Sequence, residues 1–189
     1  MNTITILSGK GGVGKSTLTS SLAILLAKKQ KIIAVDCDVD APNLALILGI
    51  KKFKTSKKLQ TIEKAKIITK ICPECKKHID VCTFGAISWN EKNKVPVINK
   101  FLCEGCGACS LIFPKNTVKL EKIQNAFLNT AKTDYGFDII SGELKMGEAG
   151  SGEIVTIVKQ KAEQLGYKYK LLSKKRVFFE ELYVYLFHI

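Results

Sequence analysis

The chain of 189 residues is long enough for one domain, or for one domain carrying a small insertion. At 46% apolar and 25% charged residues it can bury a core and falls outside the disordered class, and no apolar run reaches the roughly 20 residues of a membrane span. Net charge is +13, yet 29 of the 30 basic residues are lysine and only Arg176 is arginine, which favours a lysine-rich solvated surface over a nucleic-acid footprint.

Thr3–Leu7 reads as a strand, followed by a glycine loop from Gly9 to Gly14. Ser16 to Lys29 carries Leu18, Leu22, Leu25 and Leu26 at helical spacing. Ile32–Val35 is the next buried strand, closed by Asp36, Asp38 and Asp40. Strand, helix and strand at these lengths imply a parallel sheet with a right-handed crossover. From Lys51 to Lys77 ten lysines face two glutamates with little periodicity, which reads as a solvated connector. A hairpin is expected over Ala86–Trp89 and Val95–Asn99, joined through Asn90–Lys94. Phe137–Ile140 and Glu143–Met146 read as two short strands, and Glu153–Leu165 as a helix between a Gly-Ser-Gly turn and Gly166. Ser173–Ile189 holds five of the 15 aromatic residues and the lone arginine. That composition break is what a shifted frame or premature end would produce, leaving the sheet short of strands. The domain reading is therefore 1–64 and 121–172 for an α/β domain, 65–120 for an insertion, and 173–189 for an atypical tail.

Gly9-Lys10-Gly11-Gly12-Val13-Gly14-Lys15-Ser16 satisfies G-x-x-x-x-G-K-S between a strand and a helix. Such glycines let successive backbone N–H groups point inward as an anion cradle at a helix N-terminus. Lys15 would reach the β- and γ-phosphate oxygens of a nucleotide, the Ser16 hydroxyl would hold Mg²⁺, and Thr17 would add a hydroxyl near the α-phosphate.

Seven cysteines without the basic and apolar regions of a signal peptide point to metal or redox chemistry in the cytoplasm. Two-cluster ferredoxins use C-x₂-C-x₂-C-x₃-C-P twice, the fourth Cys of each run ligating the other cluster. Here the runs are Cys72, Cys75, His78, Cys82 and Cys103, Cys106, Cys109, Phe113. Crossed ligation completes one site, Cys82 with Cys103, Cys106 and Cys109, for a [4Fe–4S] cluster, with a structural zinc as the alternative. The other site keeps Cys72, Cys75 and His78 and loses its fourth thiol to Phe113. It is read as a doubtful second site: empty, or holding a labile cluster or zinc.

Gly9-Lys10-Gly11-Gly12-Val13-Gly14-Lys15-Ser16-Thr17 resembles the deviant Walker A loop of the MinD/ParA/Mrp class of P-loop ATPases, and Asp36-Cys37-Asp38-Val39-Asp40-Ala41-Pro42-Asn43-Leu44 is similar to the same class. The resemblance is strongest to members with an inserted ferredoxin module. It implies an ATPase that works as a homodimer, with Lys10 reaching the partner's nucleotide. By the same resemblance Asp38 binds Mg²⁺ through water and Asp40 orients the attacking water. Catalysis would rest on Lys10, Lys15, Asp38 and Asp40. A strand ending in Asp with a Pro/Gly-rich loop after it would normally follow, and no such Asp is found past Tyr167. The leading expectation is an ATP-binding iron–sulfur protein coupling nucleotide binding or hydrolysis to electron or cluster transfer. The alternative is a non-catalytic ferredoxin-like carrier or truncated remnant without ATPase activity.

Overall fold

The computed structural model describes residues 2–10, 12–68, 75–113, 116–168 and 181–188. The chain divides into two compact units: residues 1–59, 126–146 and 150–189 form the first, and residues 60–125 with 147–149 the second.

The first unit is built on a six-stranded sheet. Its strands are β1 (Asn2–Ser8), β2 (Lys31–Asp36), β3 (Thr55–Leu59), β8 (Ala126–Lys132), β9 (Asp138–Leu144) and β10 (Glu181–His188), in the spatial order β1-β10-β2-β9-β8-β3. Helices α1 (Lys15–Ala27) and α2 (Leu44–Ile47) serve one face, and α4 (Ser151–Lys168) the other. Alternation along β2 decides which residue meets which layer. Ile33 and Val35 pack with Ile140, Ile154, Val158 and Ala162 on the α4 side, while Ile32 and Ala34 pack with Ala23, Leu44, Leu48 and Ile139 on the α1 side. A strand buried on both faces reads as a continuous apolar run, which is why Ile32–Val35 was legible.

Three expectations are corrected. The sheet is mixed: β1, β10, β2 and β9 run parallel, but β8 pairs antiparallel with both β9 and β3. Only five residues link β8 to β9, too few for the crossover a parallel pair requires. The lysine-rich segment after Lys51 is no simple connector, for it contains β3 and, in the second unit, β4 (Ile62–Ile67). Only Leu59 of β3 is buried, so no alternation marks it; Lys57 and Lys58 are exposed there, as suits an edge strand. Finally, the two short strands expected over 137–146 are one strand, β9, with Ser141 and Gly142 inside it.

Gly142 is set by packing. A methyl group there would meet Val158 Cγ2 and Val39 Cγ1 at 2.8 Å and Ile154 Cγ2 at 3.0 Å. Gly142→Ala is expected to cost about 1–3 kcal/mol in urea unfolding, because α4 lies directly on the strand and its branched side chains cannot swing away. An unchanged unfolding midpoint would refute that reading.

The tail also differs from expectation. Residues 181–188 form a parallel strand between β1 and β2, in register Ser8↔His188 and Leu186↔Asp36. Leu182-Tyr183-Val184-Tyr185-Leu186-Phe187 is rich in the β-branched and aromatic types that favour strands, whatever its composition break implies. Val177–Glu180 lies outside the described residues.

The second unit holds the antiparallel pair β4 and β7 (Val118–Ile123), the hairpin β5 (Ile87–Asn90) and β6 (Val95–Ile98), a 3₁₀ helix over Cys75–Val81, and α3 (Ala108–Ile112). The hairpin falls where alternation and the Asn90–Lys94 turn place it. A small core of Ile87 and Phe113 gathers Ile67, Ile79, Val81, Ile98 and Val118. Buried Asn125 ties the ends of the unit: it accepts from the Thr61 N–H at 2.9 Å and donates to Thr61 Oγ1 at 2.8 Å and the Ala149 carbonyl at 2.9 Å.

Candidate functional site

The glycine loop runs from β1 into α1, where the chain must turn sharply. Gly12 (φ 74°) and Gly14 (φ 88°) adopt the left-handed region that a side chain disfavours. Gly14 is the N-cap of α1, with no side-chain cap and no acid in the first turn. The first-turn N–H groups therefore lack the usual protein partner, and with the helix dipole they form a site for an anion. Lys15 is buried, its Nζ 3.4 Å from the Lys10 carbonyl oxygen. An ammonium withdrawn from water with only a long carbonyl contact gains greatly from an anionic partner. Ser8 braces the loop: its hydroxyl accepts the Lys10 N–H at 3.1 Å and donates to the Lys10 carbonyl at 3.0 Å.

One cavity of about 870 Å³ collects Gly12, Gly14, Lys15, Ser16, Thr17, Asp38 and Asp40. Gly9, Lys10 and Val13 are exposed and stand outside its lining, and Gly11 lies outside the described residues. Sequence reasoning missed Asn43 and Ile47 of the following turn, and Ser151, Gly152 and Val155 at the start of α4. The last three arrive from more than 100 residues away, and only the sheet order brings them to the same strand ends. Ser16 and Asp38 supply a hydroxyl and a carboxylate to the same cavity, which is the oxygen donor set that Mg²⁺ prefers.

Asp36, at the end of β2, is fully buried and holds the acidic loop in place. Its Oδ1 accepts the Asp38 N–H at 3.1 Å and its Oδ2 the Leu44 N–H at 3.0 Å, so one carboxylate spans the loop bearing Asp38 and Asp40. Burial pushes its pKa up to about 6, against the pull of those two N–H donors. A carboxyl raised from 3.8 binds a proton in the folded chain that the unfolded chain has already released. Its contribution to stability is thus greatest below pH ~4 and falls, by about 3 kcal/mol in all, as pH rises through about 6. Urea midpoints of the nucleotide-free chain are expected to show this slope, and Asp36→Asn to remove it; parallel slopes in the two proteins would contradict the assignment. Neighbouring Cys37 is buried, its thiol pushed up to about 12 by desolvation, with Lys159 opposing.

In the second unit Cys82, Cys103, Cys106 and Cys109 line one pocket with Ala65, Phe84, Ala86 and Ile98. Two of the sulfurs accept backbone N–H groups, Cys103 Sγ from Ala65 at 3.4 Å and Cys82 Sγ from Ala86 at 3.3 Å. The Cys109 thiol is pushed above its ordinary range, first by burial and then by the charges of Cys103, Cys106 and Cys82. Gly105 (φ 69°) and Gly107 (φ 78°) bend the loop around the pocket. At Gly105 a side chain would strike the Glu63 carbonyl. Among the described residues no three His, Cys, Asp or Glu side chains close on the space of a single metal ion.

Cys72, and the side chains of Cys75 and His78, lie outside the described residues. Phe113, which takes the fourth position of that second run, is buried among Ile87, Ile98 and Val118. The position where a thiol would ligate serves apolar packing instead.

The profile of the CobQ/CobB/MinD/ParA nucleotide binding domain matches residues 4–175. The chain belongs to this family. A MinD/ParA-type nucleotide-binding domain accounts for the glycine loop, the acidic loop after β2 and the α/β sheet together. An uncharacterized protein of Methanocaldococcus jannaschii is 42% identical over 170 residues, which is 89% of this chain and 56% of that protein. A septum site-determining protein MinD of Helicobacter pylori is 57% identical over 49 residues, 25% of this chain and 18% of its own length. An iron–sulfur cluster carrier protein of Pyrococcus abyssi is 46% identical over 50 residues, 26% of this chain and 17% of its own. The chain spans about half the length of the curated relatives it matches most extensively. No solved structure matches it. Among the described residues no helix is long and apolar enough to cross a membrane.

Proposed function

We propose that this MinD/ParA-type chain binds Mg-ATP at the glycine loop and a [4Fe–4S] cluster in the second unit, and couples the nucleotide to electron or cluster transfer. The observation that carries the reading is the presence in one chain of an uncapped glycine-loop helix with a buried lysine and a separate pocket ringed by four thiols. The name of the Pyrococcus abyssi relative supports the iron–sulfur half over a short stretch of sequence.

In this reading the α1 N-terminus and Lys15 neutralise phosphate charge, Ser16 and Asp38 hold Mg²⁺, and Asp40 positions water. Lys10, exposed and outside the cavity, is free to reach the nucleotide of a second copy. Cys82, Cys103, Cys106 and Cys109 would hold the cluster, which supplies one-electron chemistry when bound. The Ala65 and Ala86 N–H groups would stabilise the reduced form through the Cys103 and Cys82 sulfurs.

A second reading is nucleotide binding without turnover. The decisive experiment is anaerobic iron and sulfide analysis with EPR of the reduced chain, before and after Mg-ATP, beside a phosphate-release assay. About four irons and an ATP-sensitive signal are expected. A colourless chain binding one zinc would overturn the cluster. Iron without phosphate release would select the second reading.

A further inference from the structure

The other end of the sheet carries a cleft that the nucleotide site does not use. It opens where β2 and β9 begin, six residues of β2 away from the acidic loop, or about 20 Å at 3.3 Å per residue. Five lysines line it: Lys28 and Lys29 after α1, Lys31 at the start of β2, Lys54 ahead of β3, and Lys132 at the end of β8. Among the described residues that line it, the acid is the half-buried Asp138. The cavity is about 660 Å³, within the roughly 300–1,000 Å³ of small-molecule sites.

Lys28 and Lys29 have an ordinary explanation, since cations after a helix C-terminus oppose its dipole. Lys31, Lys54 and Lys132 have none of this kind. They come from three different segments, and the ion pairs among the described residues involve Lys64, Lys66, Lys76 and Lys94 instead. All five lysines are exposed, and lysines gathered on one concavity give it a positive potential that an anion of several charges would neutralise.

The cleft also has a rigid wall. Buried Thr133 fixes the β8–β9 turn: its N–H and hydroxyl donate to the Phe137 carbonyl at 2.8 and 2.9 Å, and its hydroxyl accepts the Phe137 N–H at 3.3 Å. Gly136 (φ 89°) closes the turn, and Tyr135 at its tip stacks on Phe137 with ring centroids 6.3 Å apart while remaining 50% exposed. The Lys54 N–H donates to the Thr130 carbonyl at 2.8 Å, so its backbone is anchored to β8 as well. An aromatic face on a fixed turn, in a cleft lined by lysines from three segments, is partly preorganised for an anionic ligand.

We propose that this cleft binds a small molecule bearing two or more phosphate groups, independently of the nucleotide at the glycine loop. A nucleic acid would call for an extended basic stripe with arginine; among the described residues the charge here is concave and carried by lysine.

The test is calorimetric titration of inorganic tripolyphosphate into the full chain carrying Lys15→Ala, which removes the competing glycine-loop site. One equivalent is expected to bind, at least 10-fold more weakly after Lys54→Glu/Lys132→Glu. Lys57→Glu/Lys58→Glu, on β3 outside the cleft, changes net charge equally and is expected to leave the affinity within 2-fold. Equal weakening by the two pairs would reduce the effect to diffuse attraction and overturn the proposal, as would absence of binding. In the unmutated chain, amide shifts of Gln30 and Gly136 should saturate separately from those of Gly12 and Gly14; movement confined to the glycine loop would also overturn it. ATP binding more tightly than tripolyphosphate, with Tyr135→Ala abolishing the difference, assigns the ligand as a nucleotide, and equal affinities assign the phosphates alone. Affinity that climbs with the length of single-stranded DNA and exceeds that of tripolyphosphate would replace the small ligand with nucleic acid.

Discussion

Lys15→Ala is expected to weaken nucleotide binding by about 2–4 kcal/mol, some 30- to 700-fold, with the fold retained. The magnitude follows from burial. Lys15 is 9% exposed, lines the cavity, and its ammonium rests 3.4 Å from one carbonyl, a long contact that leaves room for a stronger partner. A phosphate placed on the α1 N-terminus supplies that partner, and truncation leaves the phosphate charge to the N–H groups alone. Lys15→Arg is not expected to rescue, because a planar guanidinium cannot occupy the space of a buried point charge. Lys10→Ala provides the contrast. Lys10 is exposed and outside the cavity lining, so its loss should leave binding to a dilute single chain within about 3-fold. Fluorescent-nucleotide titration of the three variants, with circular dichroism to certify folding, decides the matter. Equal affinity of Lys15→Ala and the unmutated chain would remove the glycine loop as the nucleotide site.

What the sequence made legible follows from how local each signal is. The glycine loop, α1 and β2 depend on neighbouring residues: glycines where φ is positive, leucines at helical spacing, an apolar run buried on both faces. They can be read without knowing the rest of the chain. The hairpin over β5 and β6 is equally local. β3 defeats such reading because pairing with β8, not its own side chains, holds it in the sheet; four of its five residues face solvent. β9 was split because Ser141 and Gly142 interrupt its apolar pattern, yet Gly142 is small because α4 needs the room.

The site shows the same division. Ser16, Asp38 and Asp40 could be named from spacing and resemblance. The role of Asp36 as a clamp across the acidic loop could not, since it depends on two backbone donors six residues apart that only the folded turn brings to one carboxylate. Lys54 and Lys132 are 78 residues apart in sequence, and nothing short of the β3–β8 pairing announces that they share a cleft.

The four pocket cysteines should behave as one unit, and that makes them the sharpest test of the iron–sulfur half. Single Cys→Ser substitution at Cys82, Cys103, Cys106 or Cys109 is expected to drop anaerobically reconstituted iron from about four per chain to three or fewer, because each thiolate would hold one iron. Cys37→Ser should leave the content unchanged: its thiol is buried on the α4 side of the sheet in the first unit, and with its pKa pushed up to about 12 it supplies almost no thiolate at neutral pH. Phe113 supplies the complementary prediction. It is buried in the core of the second unit, so Phe113→Cys tests whether packing or ligation claims that position. If the Cys72, Cys75 and His78 run retains the geometry of a second site, the added thiol should raise iron toward eight per chain. If the site has been surrendered to apolar packing, the substitution should instead cost about 2–4 kcal/mol of stability with iron unchanged, since a small thiol leaves most of a phenyl-sized void. The buried ring, at 4% exposure, argues for the second outcome. Iron that stays at about four in every one of the four serine variants would mean that these thiols are not the ligands, and the pocket would then have to be explained without a cluster.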